Sequence, residues 1–171
     1  ANDPRYPTNA TNSIPGWVVE DGAQCLKFDG VGTYLTLPTE AFPRGSFTLS
    51  FEIKPTGCGN QVLFRHHGYY IGSVTLKSES EKLVVSFVDR NIEGTLFAPG
   101  LGLPRGQWSK IEMRYDLQNM YFKVNEVSSA PIPFSRPALF SMTSSFGGHL
   151  RPAFGIKPGD KFFEGYLKAL R

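Results

Sequence analysis

The segment SFTLSFEIKP at residues 46–55 has the clearest two-residue rhythm of the chain. Its alternate apolar positions are Phe47, Leu49, Phe51 and Ile53. Successive side chains of a β-strand point to opposite faces, so these four residues share one face and polar residues take the other. The pattern predicts a strand that is buried on one side and solvated on the other, and that ends at Pro55.

The same alternation continues on both sides of this segment. It is present at residues 25–28, 61–66, 69–77, 82–88, 107–115 and 120–124, and weaker at 92–97, 153–156 and 162–170. The 18 glycines and 13 prolines have no period and mark turns between these runs. Because no run keeps helical spacing, the sequence predicts an all-β domain, a sandwich or barrel in which two antiparallel sheets close over one core.

Three local features give further predictions. Val124 is followed by Asn125 and Glu126 rather than by Asn-Gly, which predicts a widened turn. Trp108 is predicted to lie in the core. Trp17 is predicted to cover an exposed edge of the sandwich rather than to stack on a sugar.

Composition excludes several classes of protein. With 171 residues, 40% hydrophobic and 19% charged, the chain suits one globular domain. It has no apolar run of the ~18–20 residues that a membrane span requires. The net charge of +3 is small and the basic residues are dispersed, which argues against nucleic acid as a partner. Residues 1–24 predict an extended arm or linker, and residues 25–171 predict the domain.

The two cysteines, Cys25 and Cys58, leave two alternatives open. They form a disulfide that closes a loop of about 33 residues, worth roughly 3–4 kcal/mol in the chain-entropy model, or they stay unpaired. The sequence contains no Cys/His cluster with zinc-binding spacing.

Four segments, in this order, resemble the laminin-G-like branch of the concanavalin A-like lectin and glucanase superfamily. They are CLKFDGVGTYLTLP at 25–38, SFTLSFEIKP at 46–55, GQWSKIEMRYDLQNMYFKVNE at 106–126 and FFEGYLKALR at 162–171. The resemblance implies a jelly roll whose first and last strands are adjacent. It also implies an extracellular or secreted domain that binds carbohydrate or mediates adhesion.

One departure from the family pattern removes the support for structural calcium. Where relatives carry an acidic residue that helps to bind the ion, Lys168 follows Leu167 in the closing strand. Asp29 remains a candidate ligand, but a calcium site needs several oxygens. We therefore predict no metal and no cofactor.

Catalytic patterns of the superfamily are missing from the sequence. Retaining glycoside hydrolysis needs two carboxyl groups about 5–5.5 Å apart, and the E-x-D-x-x-E strand of the laminarinase-type branch has no counterpart. Glu79 and Glu81 are interpreted as part of a solvated turn. Residues 121–123 (YFK) resemble one alginate-lyase motif without its companion strands. The serines near His149 lack a G-x-S-x-G elbow, so the chain is predicted not to be an enzyme.

Three polar loops are predicted to form a glycan-binding site. Sugar rings stack on aromatic side chains, and sugar hydroxyls bond to Arg, Asn, Asp and His. The candidate residues are Arg65, His66, His67, Tyr69, Tyr70, Asp89, Arg90, Asn91, His149 and Arg151. If the loops converge, the site is mildly basic, aromatic-lined and suited to a neutral or anionic glycan.

A purely structural interpretation of the same residues stays open. Either Tyr69 or Tyr70 faces the core if a strand begins there. His66 and His67 face opposite sides of a strand, so one of them can be an ordinary buried histidine. Residues 89–91 (DRN) also suit a hairpin turn.

Three functions follow, in order of preference. The first is a non-catalytic, lectin-like carbohydrate-binding domain, extracellular or secreted, as a module of a larger glycan-processing protein. Its expected partners are a glycan and other domains of the same polypeptide. The second is an extracellular adhesion or structural domain that binds a protein, and the third is a polysaccharide hydrolase or lyase.

Overall fold

The computed structural model describes residues 15–31, 33, 35–37, 46–68, 72–89, 92–97, 101–133, 141–146 and 161–171. Within these ranges the chain forms fifteen strands and no helix. The strands are β1 Gly16–Glu20, β2 Ala23–Asp29, β3 Leu35–Leu37, β4 Phe47–Pro55, β5 Gln61–Gly68, β6 Gly72–Glu79, β7 Lys82–Asp89, β8 Ile92–Phe97, β9 Ser109–Tyr115, β10 Asn119–Val124, β11 Val127–Ser128, β12 Ile132–Pro133, β13 Ser141–Phe146, β14 Lys161–Phe162 and β15 Glu164–Lys168.

Sheet A contains the strands nearest both ends of the described chain. Its order is β1-β2-β15-β4-β9-β10-β11, with β12 also paired to β10. β15 lies between β2 and β4 and is antiparallel to both, which is the adjacency that the family resemblance implies. β1 falls inside the range predicted as an arm, but all five of its residues pair with β2. This part of the arm therefore belongs to the sheet.

Sheet B is built around a meander of consecutive strands. Its order is β3-β13-β5-β6-β7-β8, and β14 pairs in parallel with β5. β5 to β8 follow one another along the chain as antiparallel neighbours, while β13 returns from later in the sequence to lie between β3 and β5. The central strands of this sheet therefore come from well-separated parts of the sequence.

The core lies between the two sheets and uses the alternation seen in the sequence. In β4 the four apolar residues of the rhythm are buried, and β9 and β10 repeat the pattern. Sheet A contributes Phe47, Leu49, Phe51, Ile53, Ile111, Met113, Tyr115, Met120, Phe122 and Val124, and sheet B contributes Leu63, Phe64, Leu76, Leu83 and Val85. Fully burying each large side chain contributes about 1.5–3 kcal/mol. The predicted two-sheet, all-β fold is confirmed.

Short turns set the register of two hairpins. Asp21 and Gly22 link β1 to β2 with φ of 51° and 77°, the left-handed values of a type I′ turn. Asn125 and Glu126 link β10 to β11, because Val124 pairs with Val127. The widened turn predicted there is wrong, since asparagine tolerates the positive φ of 53° that a tight turn needs.

Candidate functional site

The structure places four of the ten candidate glycan residues in strands of sheet B. Arg65, His66 and His67 lie in β5, and Asp89 is the last residue of β7. The other candidates, Tyr69, Tyr70, Arg90, Asn91, His149 and Arg151, lie outside the described residues.

Two of the three predicted loops start from the same end of sheet B. Gly68 pairs with Gly72, and Ser73 pairs with Val88, so β5 and β7 both end there, with β6 between them. The ends of β5 and β7 are two strand spacings apart, which is roughly 10 Å. β13 runs antiparallel to β5 and ends at Phe146 beside Phe64, away from that end. The convergence of all three loops stays a prediction.

Polar residues occupy five neighbouring strands of sheet B at the level of Arg65, and Leu96 continues this row on β8. Direct register partners on β3, β13, β5, β6 and β7 are Thr36, Ser145, Arg65, Thr75 and Ser86. We call these five residues the polar row. They come from three separated parts of the sequence, namely β3, the consecutive strands β5 to β7, and β13, and strand pairing brings these parts together.

The polar row lies next to a row of buried apolar residues. The adjacent row contains Phe64, Leu76 and Val85, which are register partners and are fully buried in the core. Adjacent rows of a pleated sheet alternate between its two faces. His67, two residues along β5 from Arg65, is aligned with Thr143 and Ser73.

The outer face of sheet A carries an aromatic residue that the sequence placed in the core. Trp108 is only half-buried, and the prediction is wrong because the neighbouring Ser109 takes the buried position of β9. The indole N–H of Trp108 donates to Asp21 Oδ2 at 2.8 Å. Lys168 Nζ lies 4.1 Å from the centre of the Trp108 ring. One face of this ring is therefore already occupied by a cation.

Lys54 completes the group that we call the Trp108 cluster, which consists of Glu20, Asp21, Lys54, Trp108, Tyr166 and Lys168. Lys54 Nζ donates to Asp21 Oδ2 at 2.8 Å and to Glu20 Oε1 at 2.9 Å. These two hydrogen bonds, of which the one to Asp21 has the larger effect, hold the pKa of Lys54 above its ordinary value. The pKa of Asp21 is lowered chiefly by the hydrogen bond from Lys54 and to a smaller extent by the one from Trp108. The pKa of Tyr166 is raised chiefly by burial and to a smaller extent by the nearby charge of Glu20. The charges of the cluster largely satisfy one another.

A second aromatic ring on this face has the same arrangement. Arg114 lies 4.0 Å from the centre of the Tyr121 ring, its direct neighbour across the β9–β10 pair. The Tyr121 hydroxyl donates to Asp116 Oδ2 at 3.0 Å. Hydrogen bonds from the backbone N–H groups of Asn119, which has the larger effect, and Gln118 lower the pKa of Asp116. The sequence analysis identified neither cation–aromatic pair, because the alignment of Arg114 with Tyr121 follows from the pairing of β9 with β10.

A cavity of about 260 Å³ lies between the end of β4 and the tip of the β6–β7 hairpin. Its lining residues are Pro55, Gly57, Cys58, Gly59, Ser78, Ser80, Glu81, Leu103 and Arg105. Glu81 sits in the exposed turn predicted for it, and its Oε1 accepts a hydrogen bond from the Arg105 N–H at 2.9 Å. Cys58 is an exposed free thiol and Cys25 a buried one, so the structure has the unpaired alternative.

The described residues contain no group of three or more His, Cys, Asp or Glu side chains that is placed to hold a metal ion. Asp29, the candidate calcium ligand, instead accepts hydrogen bonds through Oδ1 from the N–H groups of Val31 at 2.8 Å and Thr33 at 3.2 Å. Its carboxylate therefore closes the turn that follows β2.

The strand order and the shared core define the class of the fold. The chain has the predicted jelly-roll fold, and it shares this fold with laminin-G-like domains and other concanavalin A-like structures. Mouse laminin α1 domains LG4-5 superpose with a TM-score of 0.69 at 17% identity, over 94% of this chain and 43% of that chain. Domain 4 of an extracellular arabinanase from Geobacillus stearothermophilus, solved with arabinotriose, gives 0.67 at 13% identity, over 93% and 74%. A pentraxin from Limulus polyphemus gives 0.56 at 15% identity, over 93% and 73%.

At the level of sequence the similarity is to a much larger protein. Mouse contactin-associated protein 1 is 26% identical over 151 residues, which is 85% of this chain. The chain spans only 11% of the length of that relative. No family model matches the chain. A helix long and apolar enough to cross a membrane is not found in the part of the chain that the structure describes.

Proposed function

We propose that this domain is a non-catalytic, lectin-like module that binds a neutral or anionic glycan on the outer face of sheet B. The observation that carries the proposal is the polar row, which aligns hydroxyl residues on both sides of Arg65. Hydroxyl groups both donate and accept hydrogen bonds, as sugar hydroxyls do. A line of such groups across adjacent strands matches successive hydroxyls of an extended saccharide.

Arg65 gives this face its preference for a neutral or anionic glycan. A guanidinium donates several hydrogen bonds in a fixed plane, and it binds a carboxylate or sulfate through two of them. Among neighbouring hydroxyls it also bonds to uncharged sugars. The polar row contains no acidic residue, so it carries no repulsion against an anionic glycan.

The comparisons support both parts of the proposal. The arabinanase domain was solved with arabinotriose, so a jelly roll of this kind serves as a sugar-bound module beside other domains. The chain covers 43% of the laminin fragment and 11% of contactin-associated protein 1, which supports the role of one module in a larger polypeptide. The arabinanase is described as extracellular, and we propose the same location here.

An adhesion domain that binds a protein is the second candidate. The similarity to contactin-associated protein 1 over 85% of the chain favours it, since that protein is named for its association with another protein. Aromatic residues and arginine are common in protein interfaces, and the outer face of sheet A carries Trp108, Tyr121 and Arg114. Their paired charges, however, leave few groups free to bond to a partner.

A glycan array with matched arginine variants tests the first candidate against the second. Arg65→Ala removes the only cation of the polar row, and Arg114→Ala removes an exposed arginine from the opposite sheet. We expect wild type and Arg114→Ala to bind the same glycans and Arg65→Ala to lose at least about tenfold in affinity. Tyr69→Ala, in the predicted loop next to β5, is expected to weaken binding as well.

The other outcomes decide against the proposal in different ways. No binding to any glycan favours the adhesion domain. Loss of binding in Arg114→Ala rather than Arg65→Ala moves the site to sheet A. Release of new reducing ends from a polysaccharide would contradict the non-catalytic role.

A further inference from the structure

β1 forms an edge of sheet A in the part of the chain that the structure describes. The strand that carries Trp17 pairs with β2, yet the side chains of Trp17 and Val19 are each 69% exposed, so Trp17 lies on the edge that it was predicted to cover. Trp17 is aligned with Leu26, which packs against the core, so both residues belong to the inner face of the sheet. Here that face extends beyond the core and presents two apolar side chains to solvent.

The backbone of β1 is also open toward this edge. In a hairpin with a two-residue turn, the residues flanking the turn, Glu20 and Ala23, exchange both backbone hydrogen bonds. Bonded and non-bonded pairs then alternate along an antiparallel ladder. Glu20, Val18 and Gly16 are bonded to β2. The N–H and C=O groups of Trp17 and Val19 consequently point away from β2.

The usual protections of an edge strand are missing from β1. Edge strands are commonly blunted by lysine, by proline or by a bulge. The sequence of β1, GWVVE, has neither lysine nor proline, and its pairing with β2 is regular. Its one charge, Glu20, is held by Lys54 at 2.9 Å on the outer face. Nothing in the strand itself therefore discourages another strand from pairing with it.

We propose that β1 pairs antiparallel with β1 of a second copy of this chain, about a twofold axis at Val18. In this register Trp17 lies opposite Val19 of the second copy, on both sides of the axis. These are the residues whose backbone groups point to the edge, so the pairs exchange hydrogen bonds and also bury apolar side chains on the inner face. A second copy is the occupant that the sequence favours, because GWVVE is apolar at each paired position next to the axis.

The size of the exposed surface sets the strength of this pairing. A fully buried tryptophan side chain covers up to about 250 Å². Because Trp17 is 69% exposed, its burial in the pairing adds about 170 Å² of buried surface per copy. Stable complexes bury roughly 800 Å² per partner. The pairing is therefore weak and becomes populated only as the concentration rises, or when another domain of the polypeptide holds two copies close together.

Sedimentation velocity from about 10 µM to about 1 mM tests the proposal. Val19→Lys places a charge at the paired position, whereas Val127→Lys makes the same change at a valine that is 61% exposed on β11. We expect wild type and Val127→Lys to show the same rise in mass with concentration, and Val19→Lys to weaken association at least about tenfold. Circular dichroism of each variant reports whether it is folded. A wild type that stays monomeric at the highest concentration overturns the proposal, as does a Val19→Lys protein that associates like wild type.

Discussion

Replacing Phe51 by alanine removes a large side chain from the middle of the core. Phe51 is 1% exposed and belongs to the buried cluster between the two sheets. Lost burial of a phenylalanine costs about 1.5–3 kcal/mol. A residual cavity of about 60–100 Å³ adds about 1.5–2.4 kcal/mol at roughly 24 cal/mol per Å³. The free energy of unfolding is therefore expected to fall by about 3–5 kcal/mol, a large part of the 5–15 kcal/mol typical of a domain.

Urea and thermal unfolding, followed by circular dichroism, measure this loss. For a domain of this size each kcal/mol shifts Tm by about 2–4 °C, so Tm should fall by about 6–20 °C. Thr48→Ala is the matched control, because Thr48 lies on the exposed side of the same strand, and its cost should stay within about 0.5 kcal/mol. A Phe51→Ala loss below about 1 kcal/mol, or an equal loss in Thr48→Ala, would refute the assignment of the buried face.

Three further predictions concern other parts of the molecule. Gly165→Ala should lower stability by about 2–5 kcal/mol in thermal unfolding, because φ is 154° and a Cβ would meet the Lys54 carbonyl oxygen. A change below about 0.5 kcal/mol, the size of an ordinary surface effect, would contradict this. The pKa of Asp21 is lowered below 3.8, chiefly by Lys54, so its contribution to stability is present above that pH and is lost as the pH falls through the lowered value. The Tm difference between wild type and Asp21→Asn should shrink in acid, and a difference independent of pH would argue against it. A thiol reagent should modify Cys58 in the native protein and Cys25 only after unfolding, since burial raises the pKa of Cys25 and hides it; rapid native reaction of both would show that Cys25 is accessible.

Local alternation was sufficient to predict the layers of the fold. In β4, β9 and β10 the buried face is set by side-chain period, which the linear sequence displays directly. The same rule failed at Trp108 because the prediction followed the hydrophobicity of the side chain instead of the register. Counting outward from Ile111 puts Ser109 inside and Trp108 outside, as the structure has them.

The candidate site was harder to predict because it depends on which strands are neighbours. Arg65 was found from its polar surroundings in the sequence. Its partner Ser145 could not be found, since 80 residues separate it from Arg65 and only the insertion of β13 beside β5 joins them. A single sequence gives the faces of its strands, but not the order in which distant strands pair.

Backbone amide shifts during titration with a bound oligosaccharide test the central claim most directly. If the outer face of sheet B holds the glycan, the largest changes fall on β5, β6 and β7 around Arg65, Thr75 and Ser86. Amides around Tyr121 and Tyr166 on the outer face of sheet A should stay unchanged. Changes centred on sheet A, with sheet B unaffected, would contradict the account.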